Sequence, residues 1–207
     1  MRINYAEWTV LVIIAALITL AMKYYPYFPG DVAVERFVQS LVPINLNWAQ
    51  GVSRSAESPG IFLILALIFA LSWVLAGWRA ALLSILSLAG MMALGSWLGL
   101  GPVIGRPRPS PELVRVIRPL SGFSFPSLFA LRYAATFGFL ALVAAGKSSG
   151  ALRTVLLILC IAILILGFVA RVALAAHWPS DVIVSYLIGF LWASLLLHFA
   201  QPVNSER

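Results

Sequence analysis

Charge is what this sequence has least of. Of 207 residues, 14 are Lys or Arg and 7 are Asp or Glu, so 10% are charged, against roughly 25% in a soluble domain. With 62% hydrophobic residues and a mean hydropathy of +0.99, this excludes a soluble domain. It predicts an all-α integral membrane protein, one domain over residues 1–207. Cysteine is nearly absent: the single Cys160 lies within an apolar run. That rules out an intrachain disulfide or a cysteine metal site and reads as a small core residue. No metal or cofactor is predicted. Basic runs are also missing. The net charge of +7 is not gathered into a stripe outside the loops, which argues against a nucleic-acid partner and for anionic lipid or a phosphorylated substrate.

What the chain has instead is long apolar runs. Six are of spanning length: residues 7–25, 60–78, 80–100, 126–145, 154–173 and 179–200. The first is followed by Lys23-Tyr-Tyr-Pro-Tyr-Phe28 rather than a small-residue cleavage pattern, so it reads as a retained helix with an interfacial anchor. In the polar stretch 26–59, Val34, Phe37, Val38, Leu41 and Val42 recur at helical spacing, with Glu35, Arg36 and Gln39 on the other side. This predicts a short amphipathic helix on the membrane surface or over the bundle, ended by Pro43.

Polar chemistry is confined to three places. Arg171-x5-His177-x3-Asp181 lies between the last two apolar runs and holds one of only two histidines. Pro179 suits a first helical position, which puts Asp181 third, able to reach back to the residues before the helix as in a capping box. An Asp on one ring nitrogen of His177 would fix its tautomer and free the other. The alternative is an Asp that only caps the helix, beside an interfacial His and a snorkelling Arg. The second place is the loop 101–125. Here Gly105-Arg106-Pro-Arg108-Pro fixes two guanidiniums on a stiff backbone suited to bidentate phosphate recognition, or to contact with lipid headgroups. The third is Pro126-Ser127 at the start of the fourth run, where free N–H groups and a hydroxyl suit an anion.

Six spans would bring all three places out on one face, so that Arg106, Arg108, Ser127, Arg171, His177 and Asp181 converge. The other face carries Arg2, Arg79, Lys147 and Arg153 in short loops. This predicts cytoplasmic termini, with the site facing the periplasm or exterior of a plasma (inner) membrane.

The residues quoted so far resemble the membrane type 2 phosphatidic acid phosphatases, relatives of the vanadium haloperoxidases. That family reads Lys-x6-Arg-Pro, Pro-Ser-Gly-His and Ser-Arg-x5-His-x3-Asp, in this order. Gly101-x6-Arg108-Pro109, Pro126-Ser127-Leu128-Phe129 and Ala170-Arg171-x5-His177-x3-Asp181 match in order. The resemblance implies a six-span bundle acting on a phosphorylated membrane lipid, either a polyprenyl diphosphate or a glycerophospholipid phosphate. It implies His177 as nucleophile through a phosphohistidine and Asp181 as its orienting partner. Arg108, Ser127 and Arg171, with Arg106 beside them, would hold the phosphate. Three family positions are departed from: Gly101 replaces the phosphate-binding lysine, Leu128 the glycine, and Phe129 the histidine that protonates the leaving group.

His198 lies 21 residues beyond His177, roughly 30 Å along a helix, and cannot take over the lost acid's role. A positioned general acid contributes roughly 10²–10⁴-fold, and one preorganised donor on the order of 10²–10³. Two readings remain. The chain is a hydrolase favouring lipid diphosphates, or a phosphate-binding relative with little turnover that acts as carrier, sensor or partner subunit.

Overall fold

The computed structural model describes residues 4–146 and 150–199, apart from the side chain of Trp97. Among these residues the chain is helical, without strands. The helices are α1 (Tyr5–Ala21), α2 (Asp31–Leu41), α3 (Asn47–Ser55), α4 (Gly60–Ala76), α5 (Trp78–Met92, running on through a π turn, Ala93–Trp97), α6 (Leu100–Ile104), α7 (Leu128–Ala145), α8 (Ala151–Ala173) and α9 (Pro179–Phe199). Apolar runs without water must satisfy their backbone internally, which only helices do within one segment. Gly77, with φ +84°, allows the immediate reversal from α4 into α5.

Six equivalent spans were expected, and the structure is less uniform. α5, α7, α8 and α9 are long and apolar enough to cross a membrane. α4 joins α3 as a fifth span only if a bend of 61° is counted within it, and α1 has 17 residues, short of the roughly 20 that the hydrocarbon core requires. α7 is the central helix: 78% of its spanning window is buried, against 33% in α5, α8 and α9. Its own π turn, Ala134–Gly138, follows directly on Arg132 and Tyr133.

The amphipathic α2 is present but faces the opposite way from a helix lying over a core. Its apolar Val34, Phe37 and Leu41 are exposed, while Asp31, Glu35 and Gln39 are buried with Val38. In lipid the apolar side needs no shelter, and the polar side finds partners only against the protein. Gln39 accordingly donates to the Arg115 carbonyl (2.9 Å) and accepts from its backbone N–H (3.0 Å). The neighbouring helix α3 was not anticipated. Its turn into α4 contributes to the site.

Candidate active site

A cavity of about 410 Å³ lies where the motif-bearing segments meet. Arg108, Arg171 and His177 line it, together with Ser53 and Glu57 from the α3–α4 corner and Arg132 from α7. The π turn that ends α5 borders it through Gly95 and Ser96, and the second begins two residues beyond the lining Arg132. Such turns recur at functional sites because they re-aim the side chains around them.

His177 is buried, and its Nδ1 is bonded to the Ser124 backbone carbonyl. A carbonyl only accepts, so Nδ1 carries the proton and Nε2 holds the lone pair. Nε2 makes no hydrogen bond among the described residues. Burial, then the charges of Arg171 and Arg108, hold the imidazole well below its ordinary pKa, with the Ser124 bond opposing them. The ring is therefore neutral at pH 7. Arg108 is fixed beside it, donating from Nη1 to the Ala176 carbonyl and from Nε to the Ser121 carbonyl at 3.0 Å. Arg171 reaches Ser53 Oγ through Nη1.

Asp181 makes no hydrogen bond to the ring of His177. It sits third in α9, as its spacing from Pro179 predicts, and caps the helix by accepting from the Trp178 N–H at 3.0 Å. Its other bonds go to Arg106 and to Ser124 Oγ. The direct Asp181–His177 pair is thus replaced by a relay. Ser124 donates its hydroxyl to Asp181 and its N–H to the Arg106 carbonyl (2.8 Å), and offers its own carbonyl to His177.

Arg106 does not line the cavity. It is buried away from the cavity, paired with Asp31 at 2.9 Å and with Asp181, and donates to Ser180 Oγ at 2.9 Å. The ring of Phe28 lies 4.8 Å from its Cζ. Asp31 in turn accepts from the Ser180 N–H and hydroxyl (2.9 and 2.7 Å). These contacts leave Arg106 no free face for a phosphate. The prolines around it keep the segment extended, and with three residues per turn, positions two apart point to different sides. Arg106 therefore turns inward and Arg108 to the cavity.

Ser127 also stands apart from the cavity. It is the N-cap of α7, fully buried, accepting from the Ala130 N–H at 3.4 Å, and does not line the cavity. The three departed positions do line it. Phe129 stacks on Tyr133, with ring centroids 4.1 Å apart, and Arg171 Cζ lies 5.5 Å from its ring. Gly167 makes room for it: a Cβ there would lie 2.8 Å from the Phe129 ring. At Gly101 a Cβ would make ordinary contacts, 3.5 Å to Phe123 and to the Phe125 carbonyl. His198 lies far along α9, where Nε2 meets the Tyr5 hydroxyl at 2.5 Å.

Among the lining residues that escaped the sequence reading are Ser53, Glu57 and Arg132. Arg132, which donates to the Ala56 carbonyl at 2.8 Å, had a visible signal as a lone charge inside the fourth apolar run. Ser53 and Glu57 had none, because their approach depends on the bend between α3 and α4. Among the described residues no His, Cys, Asp and Glu are grouped so as to hold a metal ion.

Comparison with known proteins agrees with this architecture. A crystal structure titled as the first transmembrane PAP2 type phosphatidylglycerolphosphate phosphatase from Bacillus subtilis superposes with a TM-score of 0.69, covering 94% of this chain and 98% of its own, at 20% sequence identity. The search of curated proteins gives no match. The family profile described as the PAP2 superfamily matches residues 80–205, which takes in α5 through α9 and every motif segment around the cavity, and the chain belongs to that superfamily.

Proposed function

We propose that this protein removes a phosphoryl group from a phosphorylated membrane lipid through a phosphohistidine on His177, and that lipid diphosphates are its better substrates. The observation that carries the reading is the placement of His177, with Nδ1 committed to Ser124 and Nε2 unpartnered among the described residues, in a cavity shared with Arg108, Arg132 and Arg171. In the first step the Nε2 lone pair forms a bond to phosphorus, and the bond from phosphorus to the leaving oxygen breaks. The arginines stabilise the charge on the non-bridging oxygens. Water then attacks the phosphorus, the N–P bond breaks, and phosphate leaves with the imidazole restored. Asp181 acts as a positioning residue through Ser124, and Arg106 holds Asp181.

Phe129 supports the preference for diphosphates. It offers no proton where the family has its acid, and the cavity lining contains no second histidine. An alkoxide leaving from a monophosphate needs that proton. A lipid phosphate leaving from a diphosphate does not, since its second pKa is roughly 6. The site would face the periplasm or exterior, with the lipid entering from the bilayer.

Purified protein assayed for phosphate release on phosphatidic acid, phosphatidylglycerol phosphate and a polyprenyl diphosphate tests this. Release that is greatest on the diphosphate and lost in His177→Ala is the expected result. The same absences at Gly101 and Phe129 favour a second reading, a phosphate-binding relative without turnover. No release on any substrate, with an orthovanadate-induced rise in Tm that disappears in Arg108→Ala, would establish that reading instead.

A further inference from the structure

A second cavity, of about 260 Å³, adjoins the first and shares Ser53, Glu57 and Arg171 with it. Two more guanidiniums line it, Arg54 from α3 and Arg118 from the loop before α7. Both side chains are exposed, and among the described residues neither guanidinium makes a hydrogen bond or an ion pair, so both are free to turn to an anion. Arg108, Arg132 and Arg106, by contrast, all have partners. With Arg171 on the shared wall, the second cavity holds three guanidiniums against the single carboxylate of Glu57. Its net charge is positive, and its donors are the planar forks that suit phosphoryl oxygens.

We propose that this second cavity is a second phosphate site, contiguous with the first across Arg171. The inference rests on the phosphatase reading and adds to it a recognition determinant: a ligand with two phosphoryl groups spans both cavities, with one group at His177 and the other at Arg54 and Arg118. Position supports this. Arg171 belongs to both walls and is held by Ser53, so anions on its two sides lie next to each other and share one cation. Free phosphate has the same chemistry, and the released product is the other source of an anion here.

The test uses the full-length protein in detergent or nanodiscs, comparing the parent with an Arg54→Ala/Arg118→Ala variant. One measurement is kcat/KM on a polyprenyl diphosphate relative to phosphatidic acid. A fall of tenfold or more in this ratio is expected for a site that binds the substrate's second phosphoryl group through charge-assisted bonds. An unchanged ratio together with a Ki for inorganic phosphate raised tenfold or more assigns the site to released product. An unchanged ratio and an unchanged Ki overturn the proposal, even where His177→Ala confirms the phosphatase. A separate measurement needs no turnover: titration with inorganic pyrophosphate and with phosphate. The parent should bind pyrophosphate at least tenfold more tightly, and the variant should lose that margin. Equal binding of the two ions by an inactive parent would overturn both the second site and the phosphatase reading. A retained margin in an inactive parent would keep the site and reject only the phosphatase.

Discussion

Replacing Glu35 by glutamine should flatten the pH dependence of stability. Glu35 is fully buried on α2, and neither carboxylate oxygen has a hydrogen-bond partner among the described residues. Burial, then the charges of Asp31 and Asp181, push its pKa from 4.5 up to about 9. The folded pKa is raised above the unfolded one. The contribution of Glu35 to stability is therefore complete below about pH 4.5, shrinks as the pH climbs, and is gone near pH 9. Each pH unit across that window costs about 1.4 kcal/mol, so by pH 7 the folded state has lost roughly 3 kcal/mol relative to an untitrated group. Glutamine keeps the shape and does not titrate. A carboxamide has the same need of partners as a neutral carboxyl, so the difference between the proteins lies in the slope. Thermal unfolding of both proteins from pH 5 to pH 8 is the assay. Their Tm values should nearly coincide at the acid end and separate as the pH rises, with Glu35→Gln the more stable, by roughly 6–12 °C at pH 7 on the scaling for chains of this length. Parallel curves, or a parent that gains on the variant with rising pH, would refute the reasoning.

Three further outcomes are expected. Arg106→Ala removes the cation between Asp31 and Asp181 and should destabilise the protein by about 3–5 kcal/mol, the cost of leaving buried charge uncompensated, read as a fall in Tm at pH 7. On the proposed mechanism His177 must be neutral to attack, and burial holds it well below its ordinary pKa, so the acid limb of a kcat/KM profile should lie below pH 6.5, and a limb at or above that value would contradict the described environment. Gly101→Lys with Leu128→Gly and Phe129→His should raise hydrolysis of phosphatidic acid more than that of a polyprenyl diphosphate, because only the former needs its leaving oxygen protonated. Equal gains on both would count against the leaving-group argument.

The relation between Arg106 and Arg108 shows how far local pattern reaches. The stiff Arg-Pro-Arg-Pro segment identifies two cations near a membrane surface, and both looked equally suited to phosphate. Which one meets the cavity depends on Asp31, 75 residues away from Arg106, and on Asp181, equally distant on the other side. No local spacing encodes that pairing. The position of Asp181 is a complementary case. Its reach back from the third helical position was legible and it does cap the helix, but the oxygen that fixes His177 is a backbone carbonyl, that of Ser124, and backbone carbonyls carry no residue signature.

The sequence by itself determined the long apolar helices, because apolar runs in lipid have no other way to satisfy their backbone. It also determined the membrane class, from the scarcity of charge, and the motif-bearing segments around the cavity, from the order and spacing of Arg108, Arg171, His177 and Asp181. Tertiary structure alone decided which polar groups face the cavity. It turned Arg106 inward to two carboxylates, spent the Ser127 hydroxyl on a helix cap, brought Ser53, Glu57 and Arg132 to the wall, and reversed α2 so that Glu35 is buried. The physical reason is one of range. Backbone satisfaction and hydropathy act within a few residues and are written in neighbouring positions, whereas a buried charge is placed by partners that the fold brings from elsewhere in the chain.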